Sequence, residues 1–110
     1  MIGLQLIVDG KLKNKLYKKD LMEILSRLPK IINMKILAGP IVVKGRPHNP
    51  GWTGFVIIDK SHIAIHTFDD KNKISIDIFS CKKFAKYKAL KYLKSKLVFN
   101  SMTAKFLKRV

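Results

Sequence analysis

The chain contains one cysteine (Cys81), one tryptophan (Trp52) and one glutamate (Glu23). A lone cysteine excludes an internal disulfide, and with it the cross-linked class of small secreted domain, so a reducing, cytoplasmic setting is expected. No apolar run approaches the ~20 residues of a membrane span, and no signal-peptide pattern opens the chain, so no membrane partner is expected. Three histidines and one cysteine at these spacings form no recognisable zinc site, and no metal is expected. Acidic residues are scarce: seven Asp and Glu stand against 23 Lys and Arg, a net charge of +16. Such an excess can mark a nucleic-acid binder, because contact with phosphates releases counterions. Yet 20 of the 23 cations are lysines, spread from Lys11 to Lys108, with no arginine cluster to read bases. A lysine-biased genome would give the same count, so nucleic acid is not expected among the partners.

What is present describes one domain over residues 1–110. A chain of this length buries roughly 65% of its unfolded surface, enough for a single core. A hydrophobic content of 47% argues against disorder. Gly3 to Val8 reads as a strand, and Asp9-Gly10 turns the chain out into a lysine-rich connection over residues 11–19. Asp20 offers an N-cap, with Glu23 three residues on in capping-box position. Leu21, Ile24, Leu25, Leu28, Ile31 and Ile32 follow at helical spacing, and Pro29 is expected to kink or shorten that helix. Met34 to Lys44 reads as a strand bent at Gly39-Pro40, and Arg46 to Gly51 as a loop.

Gly54 to Asp59 is a short apolar run. His62 to Phe68 and Lys73 to Phe79 then alternate, with Ile63 and Ile65 on one face and Ile74, Ile76 and Ile78 inward. Asp69 to Asn72 is the turn between them, where Asp is common for backbone reasons. Lys82 to Leu97 has the pattern of an amphipathic helix. Ala85, Ala89, Leu90, Tyr92, Leu93 and Leu97 share one side, and Lys88, Lys91 and Lys94 face water. Val98 to Leu107 is expected as an edge strand whose charges discourage aggregation. The fold class is therefore α+β, a two-layer sandwich with a largely antiparallel sheet and two helices on one face.

The second hairpin has a register that can be estimated. With its turn centred between Asp70 and Lys71, Ser61 lies opposite Ser80 and beside Cys81, with neighbouring Cβ atoms ~5 Å apart. His66 is five residues along the strand from Ser61, about 16 Å away, and the odd offset points it to the other face. Within one chain Ser61 and His66 are not expected to meet.

The stretches Pro50-Gly51-Trp52-Thr53-Gly54, Ser61-His62-Ile63-Ala64-Ile65-His66-Thr67 and Asp77-Ile78-Phe79-Ser80-Cys81 resemble the short prokaryotic S-adenosylmethionine decarboxylase family. The order of elements agrees over nearly the whole chain, and the steps from Ser61 to His66 and to Cys81 are those of the family's working residues. The resemblance implies a pyruvoyl-dependent carboxy-lyase of spermidine biosynthesis that cleaves itself between Lys60 and Ser61, leaving a β chain of residues 1–60 and an α chain of residues 61–110. Ser61 would become the pyruvoyl cofactor and form a Schiff base with a small-molecule substrate. Cys81 would be the proton donor, and Thr53 and His66 would serve processing. A histidine of ordinary pKa, ~6.5, is suited to accept a proton near neutrality.

Phe68, Asp70, Ile63 and Trp52 are the implied substrate-binding residues. Family members are described as homodimers with composite sites, which agrees with the strand arithmetic. The chain departs from the family pattern in five places. Lys60 stands for Glu before the cleaved serine, Thr53 for Ser, Phe68 for Trp and Asp70 for Glu, and Pro47 falls where an aromatic stacks on adenine. Those departures, and a charge that opposes a cationic sulfonium substrate, keep alternatives open. They are decarboxylation of arginine or ornithine, an uncleaved regulatory or binding homologue, and a basic nucleic-acid-binding module on the same fold.

Overall fold

The computed structural model describes residues 1–110. Strict alternation of isoleucine with polar residues commits the second half of the chain to sheet. It places Ile63, Ile65, Ile74, Ile76 and Ile78 inside, each at most 2% exposed. Burying each such side chain contributes about 1.5–3 kcal/mol. Chain order is β1 (Gly3–Leu12), α1 (Lys18–Ile31), β2 (Ile36–Lys44), β3 (Trp52–Ile58), β4 (Ser61–Phe68), β5 (Lys73–Ser80), α2 (Lys86–Lys96) and β6 (Phe99–Arg109). The six strands form one sheet in the order β2-β3-β4-β5-β1-β6, and every neighbouring pair is antiparallel.

Both helices lie on one face. The core between them and the sheet joins Leu21, Ile24, Leu25 and Leu28 of α1 and Ala89 and Leu93 of α2 to the strand isoleucines. The opposite face is uncovered, and on it Ile41, Val43, Phe55, Ile57 and Phe68 stay exposed. The expected α+β class and the one-sided arrangement of helices are as observed. As anticipated, β6 is an edge strand, and β2 is the other edge. No helix is long and apolar enough to cross a membrane.

Several local expectations are corrected. Asp20 is not the N-cap of α1. The helix begins at Lys18 behind Tyr17, and Asp20, at N3, accepts a hydrogen bond from the Tyr17 N–H at 2.8 Å. Its carboxylate thus satisfies an orphan donor of the first turn from inside the helix. Pro29 is accommodated within α1 because it falls in the last turn, and the helix ends two residues later at Ile31. The second helix starts at Lys86 and not at Lys82. The Cys81 and Lys82 N–H groups bond to the Ser61 and Ser80 hydroxyls, in the non-helical segment before that start. Ala85, outside that helix, is exposed. The bend in β2 appears as register shifts from Ile36 through Ala38 to Ile41.

Helices α1 and α2 are tied at the surface by Glu23, which accepts from Lys96 and also faces Arg27. The Lys96 hydrogen bond, helped by the two positive charges, holds the Glu23 carboxyl below its ordinary range. Beneath α1, Gly54 of β3 leaves no side chain, and Leu25 descends into that space. A Cβ at Gly54 would stand 2.6 Å from Leu25 Cδ1 and 3.3 Å from Leu21 Cδ2. Gly54→Ala is therefore expected to destabilise the fold by about 1–3 kcal/mol through overpacking, read as a lower urea midpoint at unchanged slope. An unchanged midpoint would show that α1 does not seat on β3 in this way.

Candidate active site

The site begins at the connection between β3 and β4. Ile58 pairs with Ser61, so only Asp59 and Lys60 make the turn. Lys60 has φ +46°, in the left-handed region, where a residue with a Cβ costs about 1–2 kcal/mol. This strained residue sits immediately before Ser61, the first residue of β4. Ser61 is 6% exposed. Its Oγ donates to the Asp59 carbonyl at 2.8 Å and accepts from the Cys81 N–H at 3.1 Å. Cys81 Sγ points to the same carbonyl at 3.7 Å. A hydroxyl, a half-buried thiol and one shared carbonyl thus converge at one end of the sheet.

The estimated hairpin register is the observed one. His62 pairs with Phe79 and Ile65 with Ile76, the alignment that sets Ser61 against Ser80. Ser80 is fully buried, and its Oγ accepts from the Lys82 N–H at 3.1 Å. That contact turns the chain so that Cys81 faces the Ser61 end.

His66 lies elsewhere. Burial alternates along β4, with Ser61, Ile63, Ile65 and Thr67 inward and His66 and Phe68 exposed on the other face. His66 is cross-strand partner to Thr53 of β3, and Thr53 Oγ1 and His66 Nδ1 are 3.0 Å apart, within hydrogen-bond reach. Beside this pair a recess of about 230 Å³ is lined by Arg46, His48, Trp52 and Phe68, among others. Ser61 and Cys81 do not line it. The loop that closes it is held by Gly51, whose φ is +145° and where a Cβ would fall 1.9 Å from the Thr67 carbonyl oxygen. Any side chain there would drive the loop off β4. The Trp52 N–H next to it donates to Thr67 Oγ1 at 2.8 Å.

The sequence-derived candidates therefore fall into two clusters: Lys60, Ser61 and Cys81 at one end of the sheet, and Thr53, His66 and Phe68 on the uncovered face. Trp52 both packs against the core and lines the recess. Asp70 is exposed in the β4–β5 turn, next to Asp69, which is paired with Lys15 at 3.3 Å. The Ile63 side chain is wholly buried in the core, so Ile63 can offer a ligand only backbone. His62 lies between Phe55 and Phe79, with ring centroids at 5.4 and 5.7 Å, and its Nε2 is 3.7 Å from Asp77 Oδ2. Two features escaped the sequence reading, the Thr53–His66 contact and the Asp59 carbonyl as common acceptor. The first was accessible: a two-residue Asp59-Lys60 turn pairs Thr53 with His66 by the same arithmetic that paired Ser61 with Ser80.

The chain has known relatives. Residues 6–110 match the family model of S-adenosylmethionine decarboxylase, and the chain belongs to that family. The S-adenosylmethionine decarboxylase proenzyme of Clostridium botulinum (strain Langeland) is 34% identical over 110 residues, 94% of this chain and 90% of the relative. The proenzyme of Pelotomaculum thermopropionicum is 37% identical over 60 residues, 54% of this chain and 48% of that protein. The crystal structure of the adenosylmethionine decarboxylase from Aquifex aeolicus VF5 superposes with a TM-score of 0.80 at 23% identity, covering 98% of this chain and 90% of the other. At that identity the likeness speaks to the fold.

Proposed function

We propose that the chain is a self-cleaving, pyruvoyl-dependent decarboxylase of S-adenosylmethionine, working in spermidine biosynthesis in the reducing cytoplasm. The observation that carries the reading is the convergence of Ser61 Oγ, the Asp59 carbonyl and Cys81 beside a left-handed Lys60. In processing, Ser61 Oγ turns from the Asp59 carbonyl to the adjacent carbonyl carbon of Lys60, converting the amide to an ester. Loss of the Ser61 α-proton then expels the Lys60 carboxylate, and hydrolysis of the resulting dehydroalanine releases ammonia and leaves the pyruvoyl group. A chain of residues 1–60 and a chain of residues 61–110 result. The lysine at position 60 is compatible with this, because its backbone carbonyl reacts and its side chain does not.

The residues around Ser61 suit such a group. It would stay at the first position of β4, shielded by its near-complete burial, with the Cys81 thiol beside it. When present, the group supplies a ketone carbonyl that takes up the substrate amine and draws electrons from the leaving carboxylate. Cys81 is the proton donor to the substrate carbon so released. Thr53 orients His66 through Nδ1, and His66 accepts the proton during processing. The recess beside His66, with Phe68 at its wall, receives the adenosyl part. Asp70, in the turn beyond Phe68, faces the ribose, and Trp52 closes the recess from the core side.

Processing in this form needs two copies. His66 is about 16 Å along the strand from Ser61 and on the opposite face. We infer a homodimer in which the uncovered sheet face, with exposed Ile41, Val43, Phe55, Ile57 and Phe68, seats a second copy. Each site then takes Ser61 and Cys81 from one copy and Thr53 and His66 from the other.

Intact-mass measurement of purified protein is expected to show two fragments, the first ending at Lys60 and the second blocked at its first residue. Ser61→Ala should give a single chain of 12.6 kDa, and His66→Ala should slow cleavage by about 10²–10⁴-fold. A wild-type chain that stays whole after long incubation would refute the enzyme reading in favour of a binding homologue. With cleaved protein, release of carbon dioxide is expected from S-adenosylmethionine and not from arginine or ornithine. The reverse pattern would reassign the substrate while leaving the pyruvoyl chemistry in place. Co-expressing His66→Ala with Ser61→Ala should restore partial cleavage, because one site of the mixed dimer is complete. Ser61→Ala with Cys81→Ala should restore no decarboxylase activity. A strictly monomeric protein that still cleaves would rule out the shared site.

A further inference from the structure

Charge is unevenly spread along this chain. The last acidic residue is Asp77, and residues 78–110 carry ten of the 23 cations and none of the seven acids. The fold gathers most of these cations on α2 and β6. Lys82, Lys83, Lys88, Lys91, Lys94 and Lys108 are exposed, and of the ten only Lys96 has an ion-pair partner.

A second feature lies within this field. Between the start of α2, β1 and β6 is a groove of about 420 Å³, lined by Lys83, Lys86 and Lys108 together with Phe84, Phe106 and Leu4. Tyr87, 71% exposed, stands at its margin, edge-on to Phe106 with centroids 6.0 Å apart. Lys86 Nζ lies 4.4 Å from the Phe106 centroid and 5.5 Å from that of Tyr87. Lysines without ion-pair partners beside the exposed Tyr87 ring and the half-buried rings of Phe84 and Phe106 suit a ligand that alternates anionic groups with flat aromatic ones.

We propose that the face formed by α2 and the helix side of β6 binds single-stranded nucleic acid, its lysines on the phosphates and Tyr87, Phe84 and Phe106 against the bases. Stacking on rings with charge tracking along a backbone is the mode by which single strands are held without sequence preference. It needs no arginines for base reading, so the scarcity of arginine does not oppose it. A duplex hides the base faces these rings would use. For an anionic membrane α2 offers no apolar stripe to insert, because Ala89 and Leu93, on its apolar side, are buried in the core. The groove opens on the helix side of the sheet, where Leu4 and Phe106 point, away from the uncovered face. The inference uses none of the contacts proposed for catalysis, although the groove adjoins the Ser61–Cys81 end of the sheet, where Leu4 pairs with Ser80.

The test is fluorescence anisotropy of a short labelled oligothymidylate with the full chain over a salt series. Micromolar binding at near-physiological salt is expected, with log K falling against log salt at about −0.7 per lysine engaged, roughly −3.5 for five. Replacing Lys83, Lys86 and Lys108 together by Ala should lower that slope by about 2. Tyr87→Ser, at an exposed position that leaves the fold intact, should weaken binding about fivefold or more at unchanged slope. Replacing Lys13, Lys35 and Lys44, exposed lysines elsewhere, by Ala should have a much smaller effect. Equal losses in the two triple variants would reduce the binding to diffuse charge and overturn the proposal. So would absence of binding, tighter binding to phosphatidylserine vesicles than to the oligonucleotide, or displacement of the oligonucleotide by ATP at equal phosphate concentration.

Discussion

Everything about the site hangs on the pairing of β4 with its two neighbours. Side chains alternate along a strand with period two, so one register decides both which residues meet and which face they occupy. With Ile58 opposite Ser61 and His62 opposite Phe79, Ser61 is driven inward at the strand's end, where the Cys81 backbone and thiol come to it. The same register drives His66 outward onto Thr53. A slip of one residue would exchange these faces and bury His66 where Ile65 now packs. The isoleucines therefore do more than stabilise the core. Their burial on one side is the force that pins the register and so the chemistry.

The hydroxyl network at the strand ends links that register to the rest of the chain. Ser61 Oγ and Ser80 Oγ take the N–H groups of Cys81 and Lys82, and α2 starts only at Lys86. The chain bends at Cys81, whose backbone is thereby tied to the Ser61 hydroxyl. On the other side, the Asp59-Lys60 turn holds the Lys60–Ser61 bond next to a left-handed residue. Local strain there is sustained by two well-paired strands and is a common accompaniment of reactive backbone.

Much of the fold was legible because its signals were local and repeated. The alternation of β4 and β5, the stripe of α1 and the turn cluster after Phe68 all point to the elements observed. The misses have separate physical origins. Asp20 can satisfy an N-terminal donor as the cap or from N3, and the sequence does not say which. The apolar stripe from Ala85 to Leu97 does not mark where α2 starts, and residues 82–85 stay outside the helix.

The amino-acid pattern was enough for the order of strands and helices, the inward set of isoleucines, the neighbourhood of Ser61 and Cys81, and the separation of Ser61 from His66. All of these follow from periodicity and from one hairpin turn. It took the tertiary structure to show that one carbonyl serves both Ser61 and Cys81, and that Lys83, Lys86 and Lys108 of the last third line one groove. Those depend on which distant segments lie side by side. That is set by the packing of the whole core and is written in no single stretch of chain.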